Sequence, residues 1–255
     1  MTREQRFLSA RAAVLGSDGE RSGIGTLGEK ALHAILKHYL DPDPAHHEQK
    51  CKGFYADVRN EDGFFEIQTR AFERLTRKLD AFLAESVTTV VYPIARHRRL
   101  SWIDPKTHEL SPKRKSPRIG RPCEAALELY RIRRYLSHPN FRLRVILLDC
   151  DEYKKRTRGG HSAERCERIP YALVEDLSFS SPADYAAFLP NGLGEPFTSL
   201  DLAKALRTSR ETAGTLLLLL HDLGVVRRIG RQGRAYLYRL SEVSPDDTKE
   251  NASNA

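Results

Sequence analysis

The sequence predicts an α/β protein built from two domains, and three observations lead to this prediction. The chain has 255 residues, which is enough to bury one full core and to leave length for a second, smaller domain. Its first part alternates helical and β-rich stretches in the order helix, three strands, helix, strand. From about Ser181 the order changes to a helix, a turn, a second helix and two strands.

The elements of the first part follow from apolar spacing and turn residues. A helix is predicted from about Leu27 to Leu40, where apolar residues recur at helical spacing until the segment DPDP. Three strands follow, HEQKCKG, FYADVRN and FFEIQT, and a Glu/Asp/Gly turn separates the last two. A second helix is predicted from Phe72 to Ala84, and the β-branched run VTTVVYPIA then predicts a buried strand.

The middle of the chain is predicted to hold a hairpin (LSWIDPKTHEL), a basic loop (SPKRKSPRIGRP), a helix from Cys123 to Leu136 and a buried strand (RLRVILLD). The polar segment EYKKRTRGGHSAERCER is interpreted as a surface loop. The predicted divisions are an N-terminal helical or flexible segment 1–24, a first domain 25–180, a second domain 181–243 and a disordered tail 244–255.

The composition favours a polyanionic partner. The 42 Lys and Arg residues outnumber the 34 Asp and Glu residues, which gives a formal net charge of +8 and predicts attraction to nucleic acid. The longest apolar runs are too short to span a bilayer and the N-terminus is charged throughout, so a cytoplasmic protein without membrane contact is expected. The four cysteines lack zinc-like spacing and are interpreted as reduced thiols.

The segment YADVRNEDGFFEIQT is predicted to be a hairpin that sets two acids against each other. If residues 60–63 form its loop, Arg59 pairs with Phe64 and Asp57 faces Glu66. Like charges in that position destabilise a strand pair, and Mg²⁺ would compensate because it prefers carboxylate oxygens. A plain solvent face of a two-layer sheet explains the same residues equally well. Alternation predicts one polar face, Tyr55, Asp57, Glu66 and Gln68, and one apolar face, Ala56, Val58, Phe65 and Ile67.

An Asp, eight residues and then Glu-x-Gln, within this element order, resembles the core of the PD-(D/E)xK nuclease superfamily over roughly residues 25 to 95. The resemblance implies a restriction-endonuclease-like fold and a Mg²⁺- or Mn²⁺-dependent endodeoxyribonuclease, in which Asp57 and Glu66 bind the metal. Gln68 stands where most members have Lys and would orient water, although Gln cannot act as a base. Ala56 replaces the Pro of the motif. A catalytically inactive, DNA-binding regulator is the alternative.

Glu29 has two interpretations. In the superfamily that the chain resembles, a Glu on the first helix often completes the acidic cluster, which implies a catalytic and metal-binding role for Glu29. The segment TLGE is also a capping box, in which Thr26 is the N-cap and Glu29 bonds back to its amide.

The second part resembles a winged helix-turn-helix domain, in which Ser209 caps the recognition-type helix and the tip GRQGR lies on the wing. This two-part plan is similar to that of the endonuclease subunit of heteromeric transposases and of some restriction enzymes, which implies a role in restriction, defence or mobile-element processing. The leucine run 216–220 leaves a homodimer or a partner protein open. The predicted DNA-binding residues are Arg70, Lys113, Arg114, Lys115, Arg118, Arg210, Thr212, Arg228, Arg231 and Arg234.

Overall fold

The structure is a computed structural model that describes residues 1–16, 31–104, 107–156 and 163–241, with the side chains of residues 156 and 163–165 excepted. Glu29, its predicted cap Thr26 and the tail 244–255 lie outside these residues. The chain forms two compact units, Met1–Ser181 and Pro182–Ala255, and the predicted domain boundary lies beside this division. Among the described helices, none combines the length and the apolar character needed to cross a membrane.

The first unit is built on a mixed sheet of seven strands. Six of them lie side by side in the order β1-β2-β3-β4-β6-β7, and β5 pairs with β4. The pairs β3–β4 and β4–β6 are parallel, whereas all other pairs are antiparallel. The strands are β1 (His47–Cys51), β2 (Phe54–Asn60), β3 (Gly63–Ile67), β4 (Thr88–Ile103), β5 (Arg114–Lys115), β6 (Phe141–Arg156) and β7 (Ala163–Phe179).

In the described part of the first unit, four α-helices and several 3₁₀ turns accompany this sheet. The predicted helix 72–84 begins as a 3₁₀ turn because Ala71 is left-handed, and the predicted helix 123–136 contains only a short α-helical core. The helices are α1 (Arg3–Leu15), α2 (Ala31–Leu40), α3 (Thr76–Leu83) and α4 (Ala125–Leu129), and the 3₁₀ segments are Pro44–His46, Phe72–Leu75, Pro122–Glu124 and Tyr130–Tyr135.

Two apolar clusters fix the position of the hairpin β2–β3 between helices. Val58, Phe65 and Ile67 belong to the main core, which α1 and α2 also line. Phe64 points to the opposite face of β3 and stacks on Phe82 of α3 with 4.4 Å between ring centroids. Burial of both faces explains why all five residues of β3 are buried. The mixed α/β class predicted from the sequence is confirmed.

The predicted register of the hairpin is confirmed at Arg59, whereas Asp57 and Glu66, predicted to face each other, lie beyond the last pair of the ladder, Val58↔Phe65. Arg59 pairs with Phe64, and a further pair of Asn60 with Gly63 closes a two-residue turn. Gly63 has φ 112°, and a Cβ there would lie 2.1 Å from the Val87 carbonyl oxygen, so this position requires glycine. The apolar face is as predicted for three residues, but Ala56 packs in the second cluster with Phe64 and Phe82.

The polar segment from residue 152 to 168 is not the surface loop that its composition predicts. Most of it extends the strands β6 and β7, which pair from Leu143↔Phe179 to Arg156↔Ala163. The strands can carry buried acids here because the acids have hydrogen-bond donors: Glu152, with 3% of its surface exposed, accepts a 2.9 Å bond from Arg168, and Glu167 accepts a bond from the Ala31 amide. Long-range pairing therefore overrides the local polar composition.

The basic segment 113–121 is less open than predicted. Arg114 and Lys115 are exposed but form strand β5 on β4. Lys113 lies 2.9 Å from Asp151, and Arg118 lies 3.0 Å from Glu124. Lys113 and Arg118 therefore have their charges partly compensated within the protein, and the contacts of the four cations with a phosphate backbone stay a prediction.

The second unit contains the predicted helix, turn, helix and hairpin. The predicted first helix PADYAAFL is a 3₁₀ helix, Pro182–Phe188. Phe197 forms a bridge with Tyr238 and joins the hairpin to the helices. Leu216, Leu217, Leu219 and Leu220 are buried, so within this unit the leucine run forms core. The elements are α5 (Ser199–Leu206), α6 (Arg210–Asp222), β8 (Val226–Gln232) and β9 (Ala235–Leu240).

Ser209 is the N-cap of α6, as predicted. Its side chain accepts a 3.0 Å hydrogen bond from the Thr212 amide, and the two hydroxyl oxygens lie 2.9 Å apart. Thr212 is only 6% exposed, so its prediction as a DNA contact is wrong: its side chain completes the cap. Arg210 is exposed.

Ser209→Ala is expected to lower the stability of the second unit by about 1 kcal/mol, because an N-terminal amide of α6 loses its acceptor. Urea unfolding of the full chain, followed by circular dichroism, measures this change. Ser209→Asp restores an acceptor and is expected to unfold close to the wild type. An equal loss in both variants would contradict the capping role.

Candidate active site

Asp57 lies where strand β3 parts from strand β2. The ladder between the two strands ends at Val58↔Phe65. Beyond it, the Ile67 amide of β3 donates a 2.6 Å hydrogen bond to Asp57 Oδ2 instead of to a backbone carbonyl of β2. On its other side β3 continues to pair with β4, since the Gln68 amide donates to the Val91 carbonyl. The carboxylate thus replaces a ladder partner and is held at the point of divergence.

Glu66 lies on the adjacent strand and is 3% exposed. Its Oε2 accepts a 2.6 Å hydrogen bond from Nζ of Lys78 on α3. Its Oε1 is buried and has no hydrogen-bond partner among the described residues. A buried carboxylate oxygen without a donor costs free energy, so this atom is available to a further ligand as far as the described residues are concerned.

The two carboxyl groups perturb each other electrostatically. Burial, followed by the charge of Asp57, raises the pKa of Glu66 to about 8, although Lys78 opposes the shift. Burial also raises the pKa of Asp57, while its bond from Ile67 and the charges of His33 and Lys78 oppose this. At neutral pH the pair therefore favours holding a proton when no cation compensates its charge.

Lys78 is a site residue that the sequence analysis did not identify. It lies on α3 between the buried Leu75 and Phe82, and its ammonium group is 5.9 Å from the Phe82 ring centroid. A single cation at helical spacing within an apolar stripe is the signal that could have found it. Lys78 places a positive charge beside Glu66.

The described residues contain no group of three or more His, Cys, Asp and Glu side chains placed to hold a metal. Asp57 and Glu66 form a pair, and Glu29, the predicted third acid, lies outside the described part of the chain. A pair still fits Mg²⁺, because this ion commonly keeps several waters and binds through one or two carboxylates. The unsatisfied Oε1 of Glu66 is the observation that favours such a ligand.

The structure assembles some predicted site residues and separates others. Gln68 and Arg70 follow Glu66 along the chain and line a cavity beside the pair, together with His33. The Gln68 side-chain amide donates a 2.6 Å bond to the Arg70 carbonyl, which fixes its orientation. Lys113 instead forms an ion pair with Asp151, in the C-terminal half of β6.

Because the pKa of Glu66 is raised from 4.5 to about 8, the folded chain binds its proton more tightly than the unfolded chain does. This contribution to stability is complete below pH 4.5 and is lost as the pH rises through about 8. Between these values the wild type is expected to lose on the order of 1–3 kcal/mol more than Glu66→Gln. Urea unfolding without divalent metal measures this, and Glu61→Gln, an exposed turn acid, is the control. Equal pH slopes for all three proteins would contradict the assignment.

These features define a mixed α/β protein with a pair of carboxyl groups, one buried and one half-buried, where two strands separate. The chain belongs to the family described as Domain of unknown function (DUF8091), which matches residues 30–180. A protein of Treponema pallidum (strain Nichols), described as an uncharacterized protein, is 30% identical over 227 residues, covering 85% of this chain and 87% of the relative. The 227 aligned residues are more than the first unit contains, so the alignment includes part of the second unit. No solved structure matches the chain.

Proposed function

We propose that the chain is a metal-dependent endodeoxyribonuclease. The observation that carries this proposal is the pair of half-buried Asp57 and buried Glu66, two acids on neighbouring strands that leave one buried carboxylate oxygen unsatisfied. The surrounding order of helix, three strands, helix and strand supports a restriction-endonuclease-like core. The net charge of +8 supports a polyanionic substrate.

Asp57 and Glu66 would hold Mg²⁺ or Mn²⁺. Such an ion, when bound, stabilises the negative charge that develops on a phosphodiester under attack. The bond from the Ile67 amide fixes the direction of the Asp57 carboxylate at 2.6 Å, so little reorganisation is needed during the reaction. Lys78 donates to Glu66 and adds positive charge beside the scissile phosphate. The orientation of Gln68 is fixed through its amide group, and its carbonyl oxygen serves as an acceptor for the attacking water.

The second unit is proposed to be a winged helix that binds DNA mainly through its hairpin. The guanidinium groups of Arg228 and Arg231 lie 4.4 and 4.5 Å from the Tyr236 ring centroid, which keeps them extended on one face. Arg234 is exposed at the hairpin tip. On α6, by contrast, Thr212 is buried, so few donors remain there to read base edges.

Arg231→Ala combined with Arg234→Ala is expected to weaken duplex binding of the full chain to a similar degree for unrelated sequences. Two lost phosphate contacts should reduce the slope of log affinity against log salt by about 1.8. Fluorescence anisotropy across a range of salt concentrations measures this slope. Arg210→Ala, at the start of α6, is expected to have a smaller effect, and the reverse order would contradict a binding mode dominated by the hairpin.

A second candidate function is a nuclease-like DNA-binding regulator without catalysis. The 2.6 Å ion pair between Lys78 and Glu66 favours it, because a fixed ammonium group partly compensates the buried acid without any metal. Isothermal titration with Mn²⁺ separates the two functions. The nuclease is expected to bind Mn²⁺ and to lose this binding in Asp57→Asn, whereas the regulator is expected to give no binding in either protein.

A further inference from the structure

A cleft lies beside the carboxylate pair in the first unit. It consists of an outer cavity of about 460 Å³ and an inner cavity of about 70 Å³, and both are lined by His33, Thr69 and Arg70. The outer cavity adds Gln68 and Arg74, and the inner cavity adds Arg168 from β7. Gln68, the second residue after Glu66, lines the outer cavity, so the cleft adjoins the candidate active site.

The cationic side chains of this cleft differ in how they are compensated. Arg70 and Arg74 are exposed, and neither side chain has an acidic partner among the described residues. Arg168 is held by Glu152 at 2.9 Å, which fixes its position in the wall. The acid of the inner cavity, Glu167, is engaged by the Ala31 amide at 3.1 Å. The outer cavity, whose described lining contains no acidic residue, therefore presents uncompensated positive charge.

We infer that this cleft binds a phosphodiester of the nucleic-acid strand next to the scissile bond, with Arg70 and Arg74 as its principal contacts. This inference rests on the proposed nuclease function and specifies its substrate. A guanidinium group matches two phosphate oxygens, and the outer volume suits one nucleotide rather than a duplex. No Phe, Tyr or Trp among the described residues lines either cavity, so a base has no stacking platform and binding is independent of base identity.

The test uses the full chain carrying Glu66→Gln, which prevents cleavage, and Arg231→Ala with Arg234→Ala, which weakens the hairpin. Anisotropy of 5′-fluorescein-labelled dT8 reports binding to this parent protein. Adding Arg70→Ala and Arg74→Ala is expected to weaken binding by at least about tenfold at low salt and to reduce the salt slope by about 1.4. Replacing dT8 by dA8 is expected to change the affinity of the parent by less than about threefold.

Two matched variants distinguish a phosphate contact from a general loss of charge or of folding. Arg77→Ala removes an exposed cation from the same helical segment outside the cleft and is expected to bind like the parent. Arg70→Lys with Arg74→Lys keeps both charges and is expected to retain the parent's salt slope. Unchanged binding in the double alanine variant, an equal loss in Arg77→Ala, or no binding by the parent would overturn the inference.

Inorganic phosphate provides the remaining comparison, because a free anion and a strand phosphate share the same chemistry. Phosphate binding that depends on Arg70 and Arg74 without octanucleotide binding would overturn the assignment to a strand. The failure of this inference is distinguishable from failure of the proposed function. If the parent protein binds the octanucleotide through Arg70 and Arg74 but the wild type shows no metal-dependent cleavage, the cleft is kept as a binding site and the nuclease proposal fails. If the wild type cleaves DNA but binding does not depend on Arg70 and Arg74, only the inference about the cleft fails.

Discussion

Asp57→Asn and Glu66→Gln are each expected to lower the rate of Mg²⁺- or Mn²⁺-dependent plasmid cleavage by at least about 10³-fold. Each substitution removes one carboxylate charge and keeps the size of the side chain, so the strands can retain their pairing. An amide oxygen is a weaker ligand for a hard cation than a carboxylate oxygen. The remaining acid alone is therefore not expected to hold the metal ion. Single-turnover conversion of supercoiled to nicked and linear plasmid measures the rate.

The hairpin supplies its own controls for this prediction. Glu61 and Asp62 are exposed acids in the turn of the same hairpin, and Glu61→Gln and Asp62→Asn are expected to cleave at the wild-type rate. Wild-type cleavage by both amide variants of the pair would remove the nuclease assignment. If the wild type itself leaves plasmid, single-stranded and branched DNA intact with either metal, the inactive regulator is the better description.

Lys78→Met is expected to reduce cleavage by about 10²-fold, mainly through kcat. Its ammonium group lies 2.6 Å from Glu66 Oε2, so the substitution removes a positive charge from the place where the phosphodiester would be attacked. Methionine fills a similar volume beside Phe82, which preserves the packing of α3. The rate at saturating DNA and the concentration dependence of that rate separate kcat from KM.

Lys78→Arg and Arg77→Met are the matched variants for this experiment. The arginine variant retains the charge and is expected to keep part of the activity, whereas Arg77 is an exposed cation on the same helix and its loss is expected to have no effect. Cleavage at the wild-type rate by Lys78→Met would assign Lys78 a structural role only. Circular dichroism of all variants establishes that the fold is kept.

The hairpin β2–β3 shows how far local sequence carries the prediction. Its register follows from the turn, since Gly63 supplies the positive φ that the turn requires and alternation then fixes the neighbouring positions. The placement of Asp57 and Glu66 on neighbouring strands could therefore be predicted, whereas the end of the ladder at Val58↔Phe65 could not. Lys78 could not be assigned to the pair, because its distance from Glu66 depends on how α3 packs against the sheet through Phe64 and Phe82.

The buried polar positions mark the other limit. Glu152 lies in a segment whose composition is that of a loop, and its buried charge is compensated by Arg168 on the neighbouring strand β7. Asp151, which directly precedes that segment, pairs with Arg99 and Lys113. Local propensity contains no information about such partners. The prediction of Thr212 as a DNA contact was wrong for a related reason, since a residue near a helix start can face its own cap.

By itself, the sequence determined most of the order of helices and strands, the cap of α6 and the presence of the two acids on neighbouring strands. Each of these depends on residues a few positions apart, whose spacing fixes their geometry. Only the tertiary structure decided that Lys78 completes the pair and that His33, Arg70 and Arg168 enclose one cleft. Segments distant in the chain meet there because the sheet and its apolar faces bring them together, and that packing is a property of the whole first unit.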